Sequence, residues 1–220
     1  MNFIKRLKRD IEVVFERDPA ATSWVEVVLN YPGLHAIWAH RLTHALYLHH
    51  HRVSARFLSQ VARFFTQVEI HPGAVLGEGL FIDHGCGIVI GETAVVGKNV
   101  TLYQGVTLGG TGKESGKRHP NIGDNVMISS GAKVLGNINI GSDVKIGAGS
   151  VVLKDVPDNC TVVGVPGRIV IRDGNRVKTD EHHVDLNHNQ LPDPVDDCLR
   201  ILNYRVDALS TRLKELEEKL

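Results

Sequence analysis

Five residues of this 220-residue chain could together move a proton and grip a small zwitterion: Glu69, Asp83, His84, Arg118 and His119. Asp83 and His84 are adjacent in "FIDHGCGIVIG" (81–91), Glu69 stands fifteen positions before His84, and Arg118-His119 closes a glycine-rich stretch. A carboxylate bonded to one imidazole nitrogen fixes the tautomer and stabilises the imidazolium, which leaves the other nitrogen as a general base. No protein nucleophile accompanies this pair, so the hydroxyl to be deprotonated would belong to a substrate. Cys86 is close by, but it falls four places into its repeat, a packing position. Arg118 presents a planar fork that suits a carboxylate through two parallel hydrogen bonds. The plainer readings are a solvated turn for Asp83-His84 and a solvated loop charge for Arg118.

Positioning such groups falls to a six-residue repeat. Ile70, Leu76, Ile82 and Ile88 are six apart, and Ala94, Val100 and Val106 continue the frame. A second frame runs through Ile122, Ile128, Val134, Ile140, Ile146 and Val152. This pattern predicts a parallel β-helix of the left-handed hexapeptide kind over 68–172, with three hexads per triangular coil of eighteen residues. Stacked coils would bring Glu69 near His84. Between the frames, "GGTGKESGKRHPN" (109–121) breaks the period and must leave the coil as a loop. Before the repeat, residues 1–67 read as helical, with one apolar stripe through Phe3, Leu7, Ile11, Val14 and Phe15. Pro19 would open a second helix beside Asp18, and "YPG" (31–33) would turn the chain. After it, 173–197 reads as a linker. Residues 198–220 carry a heptad seam from Leu199 to Leu220, a coiled-coil helix. The fold class is therefore α+β, with helices, then a β-helix, then a heptad helix.

Composition narrows the partners. Lysines and arginines number 25, as do aspartates and glutamates, so no electrostatic footprint for nucleic acid or an anionic membrane exists. Small-molecule chemistry is the better expectation. Three scattered cysteines outside any CxxC spacing argue against disulfides and structural zinc, and no signal or membrane-spanning segment is read, which fits the cytoplasm.

The segments "RDPA", "QVEIHPGA", "IDHGCGIVIGETAVVG", "VTLGGTGK", "RHP", "GAKVLGNINIG", "IGAGSVVLKDVP" and "GVPGRIV" closely resemble the serine O-acetyltransferase family over about residues 15–171. That resemblance implies transfer of acetyl from acetyl-CoA, a co-substrate and not a resident cofactor, to the hydroxyl of L-serine. O-acetyl-L-serine and CoA result, the first step of cysteine biosynthesis, with L-cysteine as feedback inhibitor. It implies His84 as general base, oriented by Glu69, with Asp18 and Asp83 on the serine ammonium, Arg118 on its carboxylate and His119 completing the pocket. Acetyl-CoA would lie along the solenoid between subunits, near Gly110, Ser130 and Ala148, and no metal is needed. The best-known members carry Asp where Glu69 stands here. Longer relatives have an extended N-terminal region that pairs trimers into hexamers; the shorter region here implies a homotrimer, with a hexamer as alternative. Their flexible tails enter O-acetylserine sulfhydrylase, whereas this chain ends "ELEEKL" inside its heptads. Two other chemistries share the scaffold. One is acetyl transfer to a different hydroxyl or amine. The other is a zinc enzyme of the γ-carbonic-anhydrase kind, with His71, His84 and His119 as ligands, although Asp124 stands where that family's His-x4-His spacing needs a second histidine.

Overall fold

A computed structural model describes residues 3–112 and 115–177, together with Leu202, Tyr204 and Val206. Most of the heptad helix and of the expected linker lies outside the described residues. Four helices come first: α1 (Phe3–Arg17), α2 (Trp24–Asn30), α3 (Pro32–Leu48) and α4 (Arg52–Thr66). α2 does not open at Pro19, because Ser23 is the cap and its hydroxyl accepts from the Glu26 N–H at 3.2 Å. Nor is "YPG" a turn. Pro32 takes the first helical position of α3, where its missing N–H costs nothing. α1 is fastened by Asp10, buried and accepting from Trp38 Nε1 at 3.0 Å and Arg41 Nη2 at 2.8 Å. At its other end Arg17 donates to the Thr101 hydroxyl at 2.8 Å, tying helix to solenoid.

Short strands then repeat in threes. They are β1 (Glu69–Ile70), β2 (Val75–Leu76), β3 (Phe81–Asp83), β4 (Val89–Ile90), β5 (Val95–Val96), β6 (Thr101–Tyr103), β7 (Thr107–Gly109), β8 (Asn121–Ile122), β9 (Met127–Ile128), β10 (Lys133–Leu135), β11 (Asn139–Ile140), β12 (Lys145–Ile146), β13 (Val151–Val152) and β14 (Cys160–Val163). Every third strand pairs in parallel, except that β12 pairs with β14 because an isolated bridge from Ile140 to Val156 takes the intervening place; the three faces are β1-β4-β7-β10-β13, β2-β5-β8-β11 and β3-β6-β9-β12-β14. Two antiparallel strands, β15 (Arg168–Arg172) and β16 (Asn175–Arg176), finish the third face. β16 carries the sheet past the expected boundary at 172, because Asp173 and Gly174, both at positive φ, turn the chain straight back.

Two aliphatic positions per strand fill the prism, such as Ile88 with Ile90 and Val106 with Leu108, all buried. The expected single frame from Ile70 to Val106 slips here. Ile70 stacks on Ile90 and not on Ile88, since Glu69 pairs with Val89, a coil of 20 residues, whereas Val89 pairs with Thr107, a coil of 18. The two extra residues sit between β3 and β4, in His84-Gly85-Cys86-Gly87. The next coil runs 26 residues from Thr107 to Lys133, its surplus being the expected loop.

The open end of the prism is closed by α3. Ala36 and Ile37 join the core with Val68, Ile70, Leu80 and Ile82. Gly33 allows that approach, for a Cβ there would stand 2.2 Å from the Ile82 carbonyl oxygen. α4 is turned the other way: it buries Ala55, Ser59 and Thr66 and leaves Val53, Phe57, Phe64 and Phe65 exposed. No helix of the described residues is long and apolar enough to cross a membrane.

His40 of α3 is 5 % exposed and its Nε2 has no hydrogen-bond partner among the described residues. Burial, then the neighbouring His44, pushes its pKa down to about 3. Above pH ~6.5 the folded and unfolded chains are both neutral here; below it only the unfolded chain takes the proton, so stability falls as pH falls. The slope from this residue is about 1.4 kcal/mol per pH unit. Urea unfolding at a series of pH values between about 6.5 and 4.5 checks this, the His40→Leu variant losing stability with one proton less of pH dependence than the parent.

Candidate active site

The edge between the third and first faces carries His84. Its φ is 58°, the left-handed conformation that Asn99, Asn125 and Asp143 also take at turns of the solenoid, and Gly85 and Gly87 follow at 73° and 74°. The bulge is pinned on both sides: Gly87 N donates to Gln67 O at 3.0 Å, and Gly105 N to Cys86 O at 2.8 Å. The same column continues downward, with Gly131 N on Gln104 O and Gly149 N on Ser130 O. Ser130 and Ala148, each preceding one of these glycines, therefore share the edge with His84. A side chain raised on this bulge leaves the wall, and the imidazole is 74 % exposed with Nε2 3.7 Å from Asp83 Oδ1.

Asp18 reaches the same edge from the end of α1. Its Oδ2 accepts from the Tyr31 hydroxyl at 2.6 Å and its Oδ1 from the Ala20 N–H at 2.8 Å. Those bonds, with a smaller contribution from His84, hold its carboxyl below the usual range. Tyr31 is raised by burial and by Asp18. Nothing in the sequence marks this tyrosine beyond its place in a supposed turn. Glu69 begins the first face beside the edge, but its carboxylate meets Arg63 Nη1 at 3.2 Å and not His84. Among the described residues the acid paired with His84 is Asp83, and the expected Glu69–His84 bond is not formed in this structure.

Arg118 and His119 lie elsewhere, at the edge between the first and second faces, where the long loop leaves β7 and re-enters β8. Thr93 anchors the re-entry: its hydroxyl accepts from Arg118 N at 3.1 Å and His119 N at 3.2 Å. Thr93 N donates to His119 Nδ1 at 3.2 Å. That ring nitrogen is thus an acceptor, and the proton of the neutral ring sits on Nε2, aimed away as a donor. Burial, then Arg118, lowers the pKa of His119 and keeps this form. Gly91 makes the seat, since a Cβ there would fall 2.0 Å from His119 Cδ2. Gly110 packs on the other side, a Cβ there lying 3.3 Å from Nε2. Arg118 Nη2 is held by Glu92 Oε2 at 2.6 Å, a residue unassigned from sequence although it stands in "GETA".

The nine expected residues thus divide. Asp18, Glu69, Asp83, His84, Ser130 and Ala148 attend one edge, and Gly110, Arg118 and His119 another. The zinc alternative fails on the same ground within a chain: His71 and His119 share an edge without His84, and both Nδ1 atoms accept backbone N–H groups. No group of three metal-ligating residues forms among the described residues.

Known proteins bear on these groups. The family model described as "Serine acetyltransferase, N-terminal" matches residues 1–39, and "Bacterial transferase hexapeptide (six repeats)" matches 119–154. A serine acetyltransferase of Bacillus licheniformis is 58 % identical over 220 residues, covering 99 % of this chain and 100 % of that protein. One of Bacillus subtilis is 57 % identical over 99 % of this chain and 98 % of its own. Among solved structures, Brucella abortus serine acetyltransferase in complex with coenzyme A superposes with a TM-score of 0.76 at 51 % identity, covering 79 % of this chain and 69 % of that one. A serine acetyltransferase complex with cysteine superposes with a TM-score of 0.75 at 48 % identity, covering 77 % of this chain and 66 % of that one.

The seat of His119 is testable. In Gly91→Ala the ring is expelled into solvent, and its NMR titration midpoint rises toward the ordinary value of about 6.5; in the parent it titrates below that.

Proposed function

The chain belongs to the serine acetyltransferase family, and from that premise we propose how its two edges divide the reaction. The activity is transfer of the acetyl group of acetyl-CoA to the hydroxyl of L-serine, giving O-acetyl-L-serine and CoA at the head of cysteine synthesis. His84 takes the hydroxyl proton, the serine oxygen attacks the thioester carbonyl, and collapse of the tetrahedral intermediate expels CoA thiolate, to which the imidazolium returns the proton. A backbone N–H beside Gly110 faces the oxyanion. Asp18 and Asp83 take the ammonium and Arg118 the carboxylate, with His119 Nε2–H as a further donor. Glu69 orients His84 after exchanging partners. Its present ion pair with the half-exposed Arg63 is worth at most about 1 kcal/mol, less than a charge-assisted bond to imidazolium. The pantetheine arm follows the column through Ser130 and Ala148.

The observation that carries this reading is the separation of base and clamp onto different edges of one rigid prism. A neighbouring copy, its loop edge laid against the His84 edge, completes the site. Such a contact is heterologous and closes into a ring, here a trimer. The exposed aromatic stripe of α4, ending beside Gln67 and the His84 bulge, supports self-association on that flank. L-cysteine, an isostere of serine, competes for the same groups. The cytoplasm is the expected compartment.

His84→Ala lowers turnover by at least ~100-fold, with acetyl-CoA binding retained, in a thiol-release assay. Co-expression of His84→Ala with Arg118→Ala tests the shared site. Mixed rings contain some interfaces with both groups intact, so activity at limiting L-serine returns to about a quarter of the parent's; two variants that recover no such activity when mixed would sink the shared site.

A further inference from the structure

We propose that Tyr47 and Glu92 are positioning residues that set the selectivity of the enzyme for acceptors bearing a carboxylate. The inference rests on the reading of Arg118 as the carboxylate clamp. Glu92 Oε2 accepts from Arg118 Nη2 at 2.6 Å, and Glu92 Oε1 accepts from the Tyr47 hydroxyl at 3.0 Å. Both carboxylate oxygens are thereby fixed, one by the solenoid loop and one by α3. Arg118 Nη1 donates to Gly116 O at 3.2 Å, and its backbone N–H to Thr93. A guanidinium has five N–H groups in a rigid plane. The bonds to Glu92 and Gly116 occupy one on each terminal nitrogen, and the remainder suffice for a two-pronged grip on a ligand carboxylate. With one border of the plane clamped, the free border has a fixed direction.

The pair is built for a stable bond. Arg118 and then burial act in opposite senses on Glu92, and the guanidinium wins, holding the carboxyl below its usual range so that it stays charged. Tyr47 is itself located by the edge of the His71 ring at 5.8 Å and by Arg52 over its face at 5.7 Å. The helix that lids the prism thus reaches the loop edge through one phenol. Without that phenol Glu92 swings, Arg118 follows it, and the clamp keeps its charge but loses its aim.

The test compares L-serine with L-serinamide, an acceptor with the same hydroxyl and amine but no carboxylate, in intact enzyme with acetyl-CoA. Tyr47→Phe, which keeps the ring contacts, lowers the ratio of kcat/KM for serine to that for serinamide about three- to tenfold, mainly through KM for serine. Glu92→Ala lowers the ratio by about tenfold or more, and Glu92→Gln, which keeps one acceptor oxygen for Arg118 but loses the charge and must donate to the Tyr47 hydroxyl instead of accepting from it, falls between. A purely structural role would depress both acceptors alike and leave the ratio unmoved. Arg118→Ala separates the clamp from the residues that aim it. If it leaves the serine preference intact, the clamp reading itself falls; if it abolishes the preference while Tyr47→Phe and Glu92→Ala keep it whole, the clamp stands and the positioning role is overturned.

Discussion

Coil-to-coil register is the constraint on which every other feature depends. Each corner residue is located by backbone hydrogen bonds to the coils on either side, and the aliphatic pairs inside leave no room for a local shift. A side chain can therefore be lifted clear of the wall by adding chain at a corner. The solenoid does so twice, once with the two extra residues that lift His84 and once with the long excursion that ends in Arg118 and His119. Both insertions are pinned at their roots, by Gln67 and Gly105 in the first case and by Thr93 in the second. Chemistry on this scaffold is a departure from the repeat, anchored by the repeat.

The hexads were legible because aliphatic residues at a fixed six-residue period arise from stacked coils and from little else. The slip at 83–89 was not, and the reason is geometric. Each strand has two inward positions two residues apart, so adding two residues moves the sequence frame from one inward position to the other and leaves the six-residue spacing apparently unbroken. Ile88, Ala94, Val100 and Val106 are all buried, as their period implies, but they are the other member of each pair. That slip also sets Glu69 opposite Val89 across the coil, out of register with His84. The division of the site was in principle countable from sequence: four strands, β4 to β7, separate the His84 corner from the loop corner, and four is not a multiple of three. Tyr31 and Tyr47 had no such signal. A tyrosine on or beside a helix advertises its hydroxyl only when the fold shows what it touches, and both touch a carboxylate distant in sequence or across a turn.

Electrostatics follow the same division. The His84 edge gathers carboxylates, Asp18, Asp83 and Glu69, and the loop edge presents Arg118 with the neutral donor His119. In the proposed shared site a zwitterion laid between them would meet acid at its ammonium and guanidinium at its carboxylate, so the orientation of the acceptor would be set by which edge each end prefers. The helical region is part of this arrangement and not a separate appendage: Asp18 and Tyr31 serve one edge, Tyr47 the other, and Gly33 lets α3 sit close enough to Ile82 for both to reach.

On the proposed reading, placing the two halves of a site on separate edges makes each centre the joint property of two copies of the chain. A chain defective at its base edge spoils one centre, and one defective at both edges spoils the centres on either side of it, including the half supplied by a sound neighbour. In a cell carrying a mixture of alleles, such a doubly damaged chain would poison its intact partners, whereas a self-contained site would confine the damage to the copy that bears it.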